Sequence, residues 1–224
     1  MTPALVVQPW PGPVPAAPDG IVVIAIKAGS VPAKAGSVPA TCHAWQVAGT
    51  DPAFAGTDPA SLRTAQRANI RRAAREVLAA LTGEPASCFG IQSEPGGPLN
   101  VIVGGHDSTI GCSFSHEDGY SLAAIHLHGA IGVDMMRVQD IPDWQAVARD
   151  YLGPAVTAVL QAIPAAERPL AFALAWTRRE AELKCQGSQL AEWPASDGAV
   201  TVIPLIMEAA GLAGHVAIYQ GGSQ

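Results

Sequence analysis

The chain has 224 residues, 49% of them hydrophobic and only 14% charged, and carries a formal net charge of −6. That is enough apolar material for one large core or two smaller ones, and the acidic balance argues against a general nucleic-acid binder, which is usually basic. Four scattered cysteines without a CxxC pair, no leader-like N-terminus and no run of about 18 apolar residues make a reduced, cytoplasmic location without a membrane span the expectation.

In chain order, residues 3–19 are a Pro/Ala segment expected to lie extended over the surface. Ile21-Val22-Val23-Ile24-Ala25-Ile26 is a continuous, β-branched run and predicts a buried strand. Two duplications follow: residues 27–33 recur as 34–40, and residues 48–53 as 55–60. Gly and Pro in each unit exclude a helix or a solenoid, so both read as loop expansions. Added loop length is tolerated because each doubling costs only about 0.6 kcal/mol.

Asp58-Pro59-Ala60-Ser61 reads as a helix start, with the helix over residues 62–81 and a stop at Gly83. Leu62, Ile70, Val77, Leu78 and Leu81 supply its apolar face. Arg63, Arg67, Arg71, Arg72 and Arg75 make it locally basic, either as a solvated face or as a site for an anion. Strands are predicted over 88–93 and 99–103 around a Gly/Pro turn, then over 112–115 and 120–127, with a break at His128-Gly129. A strand over 130–136 precedes helices over 144–152, 155–163 and 169–186, and strands over 200–206 and 216–219 close the chain. The order strand, helix, strands, then strand, helices, strands predicts an α+β protein of two similar lobes, 1–129 and 130–224.

Three segments concentrate chemistry. Ser115-His116 ends one strand, Gly132-Val133-Asp134 lies on the next, and Trp176-Thr177-Arg178-Arg179-Glu180-Ala181-Glu182-Leu183-Lys184 lies on the last helix. Glu180 and Lys184 share a helical face at i,i+4, which alone is most often an ordinary ion pair. Taken together, the three segments resemble the signature of the Sfp-type 4′-phosphopantetheinyl transferases, with Arg179 in place of the first lysine of W-x-x-K-E-A-x-x-K. The resemblance spans roughly residues 63–193.

The resemblance implies two lobes related by pseudo-two-fold symmetry, with the active site at their interface, in a monomer. It implies transfer of the phosphopantetheine arm of coenzyme A to a serine of an acyl, peptidyl or polyketide carrier protein, releasing 3′,5′-ADP. Mg²⁺, a hard ion that takes oxygen ligands, would be held by Asp134 and Glu180. Glu180 would be the base, Lys184 and His116 would share in catalysis at the phosphates, and Ser115, His116, Lys184, Arg71 and Arg75 would bind the coenzyme. Arg75 matches the family's position best and Arg71 second. The arginines of residues 63–75 and Arg178-Arg179 could face an acidic carrier protein. Two departures stand out: Met136 replaces a second strand carboxylate, and Gly97 replaces the lysine of a Gly-Lys-Pro turn. A non-catalytic relative that binds coenzyme A or a carrier protein is the alternative. His126 and His128, which share a strand face, leave a metal hydrolase as a third reading.

Overall fold

The β-branched run is strand β3 (Ile21–Lys27), which pairs antiparallel with β7 (Tyr120–His126). The computed structural model describes residues 3–27, 59–93, 97–117, 119–193, 200–207 and 211–219. The duplications lie outside these residues apart from Lys27, Pro59 and Ala60, as do Glu94, Pro95 and Gly96 of the expected turn and the side chain of Leu62.

With β2 (Gln8–Pro9), β4 (Phe89–Ser93), β5 (Leu99–Val103) and β6 (His106–Glu117), these strands form a six-stranded sheet of order β2-β3-β7-β6-β5-β4. A four-stranded sheet of order β1-β9-β10-β8 is built from β1 (Leu5–Val6), β8 (Ile131–Arg137), β9 (Val200–Ile206) and β10 (Leu212–Tyr219).

Side chains alternate across a strand, and here both faces of the six-stranded sheet are used. Val22, Ile24, Ala123 and Ile125 pack against Ile70, Ala74, Val77 and Leu78 of helix α1 (Pro59–Thr82). On the other face, Ile21, Val23, Leu122 and Ala124 meet Ile131, Val133 and Met135 of β8, with Ile203 and Val216. This double burial explains why β3 and β7 read as unbroken apolar runs rather than alternating ones. Helix α4 (Arg168–Cys185) covers the outer face of the smaller sheet through Ala181 and Cys185 against Ala217. The layers therefore run α1, six-stranded sheet, four-stranded sheet, α4: a mixed α+β architecture. Helices α2 (Trp144–Val147) and α3 (Pro154–Ala162) flank α4 and enclose a further cluster of Ala148, Leu152, Leu160 and Phe172. No described helix is long and apolar enough to cross a membrane.

Strand β10 starts four residues before its sequence expectation, and four further elements differ more in kind. The N-terminal segment does not merely drape over the surface. Val7 is buried and its N–H donates to the Ile206 carbonyl (3.0 Å), so the segment adds an edge strand to each sheet. Strand β6 starts six residues early because Gly104 and Gly105, both at positive φ (58° and 89°), make a two-residue hairpin with β5. Only glycine takes two successive positive φ values without strain. The helix expected over 144–152 continues from α2 as a π-helical turn, Ala148–Leu152, which ends at Gly153 (φ 85°). Last, Leu170 and Leu174 of α4 face outward.

Candidate active site

Helix α4 lies on β8 through small residues. Ala173, Thr177, Ala181 and Cys185 recur every fourth position and are all buried. Beneath them, Gly132 has no side chain to hold the helix off; a Cβ there would collide with the Ala181 carbonyl oxygen and the Cys185 nitrogen. Thr177 Oγ1 donates to the Ala173 carbonyl (2.8 Å), so it accepts from His215 Nδ1 of β10 (2.9 Å), pinning helix to sheet. Burial and the nearby Arg178 hold His215 down to about 4, so its ring stays neutral. This close seat brings Glu180 and Lys184 over β8.

Asp134 stands two residues beyond Gly132 on the same strand face and is buried. Its Oδ1 accepts from Lys184 Nζ (2.7 Å) and from Ser115 Oγ (3.0 Å). Lys184 also donates to the Val133 carbonyl (3.1 Å). Both side chains that donate to the Asp134 carboxylate bond its Oδ1, and no side chain among the described residues donates to Oδ2. Burial raises the Asp134 pKa although Lys184, Ser115 and the Met135 N–H oppose it. Glu180, half-buried, has no hydrogen bond or ion pair among the described residues. Burial raises its pKa, the Asp134 charge raises it further, and Lys184 and Arg179 pull it back. Two desolvated carboxylates that repel one another form a site that gains from a cation.

The cations of α1 form a stripe at i,i+4 spacing. Arg71 lies over the Phe114 ring (5.8 Å) and donates to Ser93 Oγ (3.2 Å). One turn back, Arg67 joins Arg63, Gln66, His116 and Glu117 around a polar cleft of about 370 Å³. His116 sits at the exposed end of β6 with Nδ1 against Ser121 Oγ (2.8 Å). Partial desolvation of the ring lowers its pKa, as do Arg67, Lys184 and Arg71. So His116 is neutral amid three cations, a field preformed for an anion. The structure thus brings Arg67 and Arg63 to His116. Arg75 lies eight residues beyond Arg67, about 12 Å along the helix axis, on the far side of Arg71.

A second cleft, of about 440 Å³, is lined by Pro98 and Leu99, Cys112 and Phe114, Ile131, and Glu180, Lys184 and Gln189. It opens beside the paired carboxylates. Burial pushes the thiols of Cys112 and Cys185 up to about 12 and about 11, so neither is a nucleophile near neutral pH.

Other expected residues fall as follows. Ser115 is buried, with its hydroxyl shared between Asp134 and the Met135 N–H (3.1 Å) rather than turned out towards a ligand. Met136 is partly buried and packs against the cluster of Ala148, Leu152, Leu160 and Phe172. Trp176 is a packing residue, stacked on Phe172 and edge-on to Tyr151. Arg179 is buried, with Nε and Nη2 unpartnered among the described residues, so it is not a surface for a partner; Arg178 pairs with Glu182 (3.1 Å). His126 and His128 pack edge to face, and no group of three metal-ligating side chains occurs among the described residues. Sequence places Arg63 and Arg67 in the basic run but singles out Arg75 and Arg71 for the coenzyme, and it gives no role to His215. The i,i+4 spacing of the arginines was visible in sequence, but which turn meets His116 depends on packing.

For a hard divalent ion, the donor set of Asp134 and Glu180 fits: both are carboxylates, and neither Asp134 Oδ2 nor Glu180 accepts a hydrogen bond from a side chain among the described residues. Mg²⁺ is commonly bound by one or two carboxylates, with substrate phosphates and water completing the shell.

Fold and site together define an α+β protein with two carboxylates and a lysine beside one cleft, and a second, arginine-lined cleft at His116. Residues 130–204 match the model of the 4′-phosphopantetheinyl transferase superfamily. That is about a third of the chain, running from the start of β8 through most of β9, and it contains Asp134, Glu180 and Lys184. No curated protein matches the chain.

Proposed function

We propose that this protein is an Sfp-type, Mg²⁺-dependent phosphopantetheinyl transferase. It moves the phosphopantetheine arm of coenzyme A to a serine of an acyl, peptidyl or polyketide carrier protein and releases 3′,5′-ADP. The observation that carries the reading is the Lys184–Asp134 ion pair (2.7 Å), with Glu180 one helical turn before Lys184 and within the field of both charges, all in the segment that matches the superfamily. Two helix-covered sheets packed face to face support a pseudo-two-fold plan with lobes 1–129 and 130–224, which acts as a monomer. Free Cys88, Cys112 and Cys185 fit a reducing cytoplasm.

Asp134 and Glu180 would hold Mg²⁺, which neutralises a pyrophosphate and polarises the phosphorus under attack. The chain's own groups do the rest. The serine oxygen attacks the phosphorus that bears the pantetheine arm, and the bond from that phosphorus to the bridging oxygen breaks. Glu180 takes the hydroxyl proton; its raised pKa brings it nearer the operating range of a general base. Lys184 Nζ, already aligned by the Val133 carbonyl, balances charge on the departing oxygen. His116 with Arg67 and Arg63, and Arg71 with Arg75 further along α1, bind the coenzyme's phosphates, for which arginine's planar fork is suited.

A second reading, binding of coenzyme A or a carrier protein without transfer, draws on Met136: a thioether, partly buried against an apolar cluster, stands where a third carboxylate would be, which leaves two. One experiment separates the two. The protein is incubated with an apo carrier protein, coenzyme A and Mg²⁺, and the carrier is weighed by mass spectrometry. Gain of one phosphopantetheine, lost with Glu180→Gln, supports transfer; coenzyme binding without any gain supports the second reading.

A further inference from the structure

Strand β8 is the edge of its sheet, bonded only to β10, so one row of its N–H groups faces away from any strand of that sheet. Those donors are taken by side chains of β6 at every second position. Val133 N–H donates to Ser113 Oγ (3.0 Å), Met135 N–H to Ser115 Oγ (3.1 Å) and Arg137 N–H to Glu117 Oε2 (3.3 Å). The spacing matches because successive side chains of a strand alternate faces just as successive N–H groups alternate sides. Three side chains thus do for this edge what a neighbouring strand's carbonyls would otherwise do, and they join the two sheets where the carboxylate stands.

Only the middle rung reaches the site. A serine hydroxyl has a single proton. With Met135 N–H on its lone pair, Ser115 gives that proton to Asp134 Oδ1 (3.0 Å). Lys184 donates to the same oxygen. Oδ1 is therefore saturated by two donors on opposite elements, β6 and α4. The carboxylate has no freedom to rotate without breaking both bonds, and Oδ2 is the oxygen that remains.

We propose that Ser115 is a positioning residue, which fixes the Asp134 carboxylate to the β6–β8 seam and leaves Oδ2 as the oxygen that binds a divalent cation. The inference rests on the transferase reading, which supplies the cation. It moves Ser115 one step back from the coenzyme: the side chain acts through Asp134 and does not touch phosphate.

Mn²⁺ is the probe, its binding to the full-length chain followed by the loss of the free-ion paramagnetic resonance signal. Ser115→Ala weakens Mn²⁺ binding by about 10- to 100-fold, the usual effect of removing a group that orients a metal ligand. Ser113→Ala, which loses an equivalent rung without touching Asp134, keeps the wild-type affinity for Mn²⁺. Ser115→Thr, which retains the hydroxyl, restores binding. In an Asp134→Asn background, Ser115→Ala has no further effect. Metal-free coenzyme A binding is the same in Ser115→Ala and wild type. If Ser115→Ala does not fold, Ser115→Cys, similar in size but a weak donor, carries the test: reduced Mn²⁺ affinity supports the proposal and unchanged affinity overturns it. Equal Mn²⁺ affinity in Ser115→Ala and Ser113→Ala overturns it, as does weaker metal-free coenzyme binding in Ser115→Ala. Those results leave the transferase reading standing, whereas wild-type protein that binds no Mn²⁺ removes both.

Discussion

Replacing Gly132 by alanine adds a single carbon at the tightest contact between α4 and β8. That carbon would stand 3.0 Å from the Lys184 carbonyl carbon and closer still to the Ala181 oxygen and Cys185 nitrogen. All three are backbone atoms, so no side chain can rotate out of the way. Restoring a carbon–carbon separation of about 3.5 Å or more, and relieving the two closer contacts, lifts the helix by about 1 Å. Glu180 and Lys184 ride on that helix, so they retreat together from Asp134, whose strand is held by β10. Overpacking of this kind costs about 1–3 kcal/mol of stability. A 1 Å displacement of catalytic groups lowers turnover by about 100-fold. Urea denaturation measures the first effect and the rate of carrier-protein mass gain the second. Alanine at 132 with wild-type stability and wild-type rate would refute the direct seating of α4 on β8, and with it the geometry of the site.

Glu180→Gln should melt higher than wild type at pH 7–8, with the difference closing in acid. The raised Glu180 pKa makes its contribution to stability fully present below the ordinary carboxylate range and lost as pH rises through the folded value; identical melting curves at every pH would contradict this. His116 should titrate below 6.5 in the free protein by NMR. Its neutral form stabilises the fold above that ordinary value, an effect lost as pH falls through the depressed one. Inorganic pyrophosphate should move the titration upward, and a ring that ignores the anion would remove His116 from the phosphate site. Arg67→Ala should weaken coenzyme A binding by about 1.5–3 kcal/mol, the range for charge-assisted hydrogen bonds, and by more than Arg75→Ala; calorimetry showing the reverse order would move the phosphate site along α1. Val7→Ala should cost about 2 kcal/mol in urea denaturation, because this buried side chain seals the N-terminal strand to β9. A neutral effect would make that strand an adornment.

The elements that sequence revealed are those whose periodicity is set by burial. β3, α1 and β9 were legible because apolar runs and an N-terminal to C-terminal helix grammar survive without tertiary information. Gly83, at φ 79° with its N–H on the Ala79 carbonyl, ends α1 as its composition predicts. Strands β1 and β2 were illegible: two residues each within a Pro/Ala segment carry no alternation, and their pairing is decided by the sheet edges they find. The first half of β6 is polar, so no apolar pattern marks it, although Gly104-Gly105 was a usable hairpin signal. In α4 the large apolar residues lie at mixed helical spacing and do not mark one buried face; the close approach to Gly132 selects alanine, threonine and cysteine there, while Leu170 and Leu174 face outward. Asp134, Glu180 and Lys184 were picked out by motif; Lys184 bonds Asp134, and Glu180 feels the charge of both. The role of Ser115 could not be read that way, because a hydroxyl bonded to Asp134 and one bonded to a phosphate leave the same letter in the chain.

Diffraction from crystals grown with Mn²⁺ and coenzyme A, recorded at the manganese absorption edge, tests the paired-carboxylate site most directly. A single anomalous peak bonded to Asp134 Oδ2 and a Glu180 oxygen, with the coenzyme's pyrophosphate on the same ion, is the result predicted here. Manganese at any other position, or coenzyme bound with Asp134 and Glu180 both facing bulk water, would contradict it.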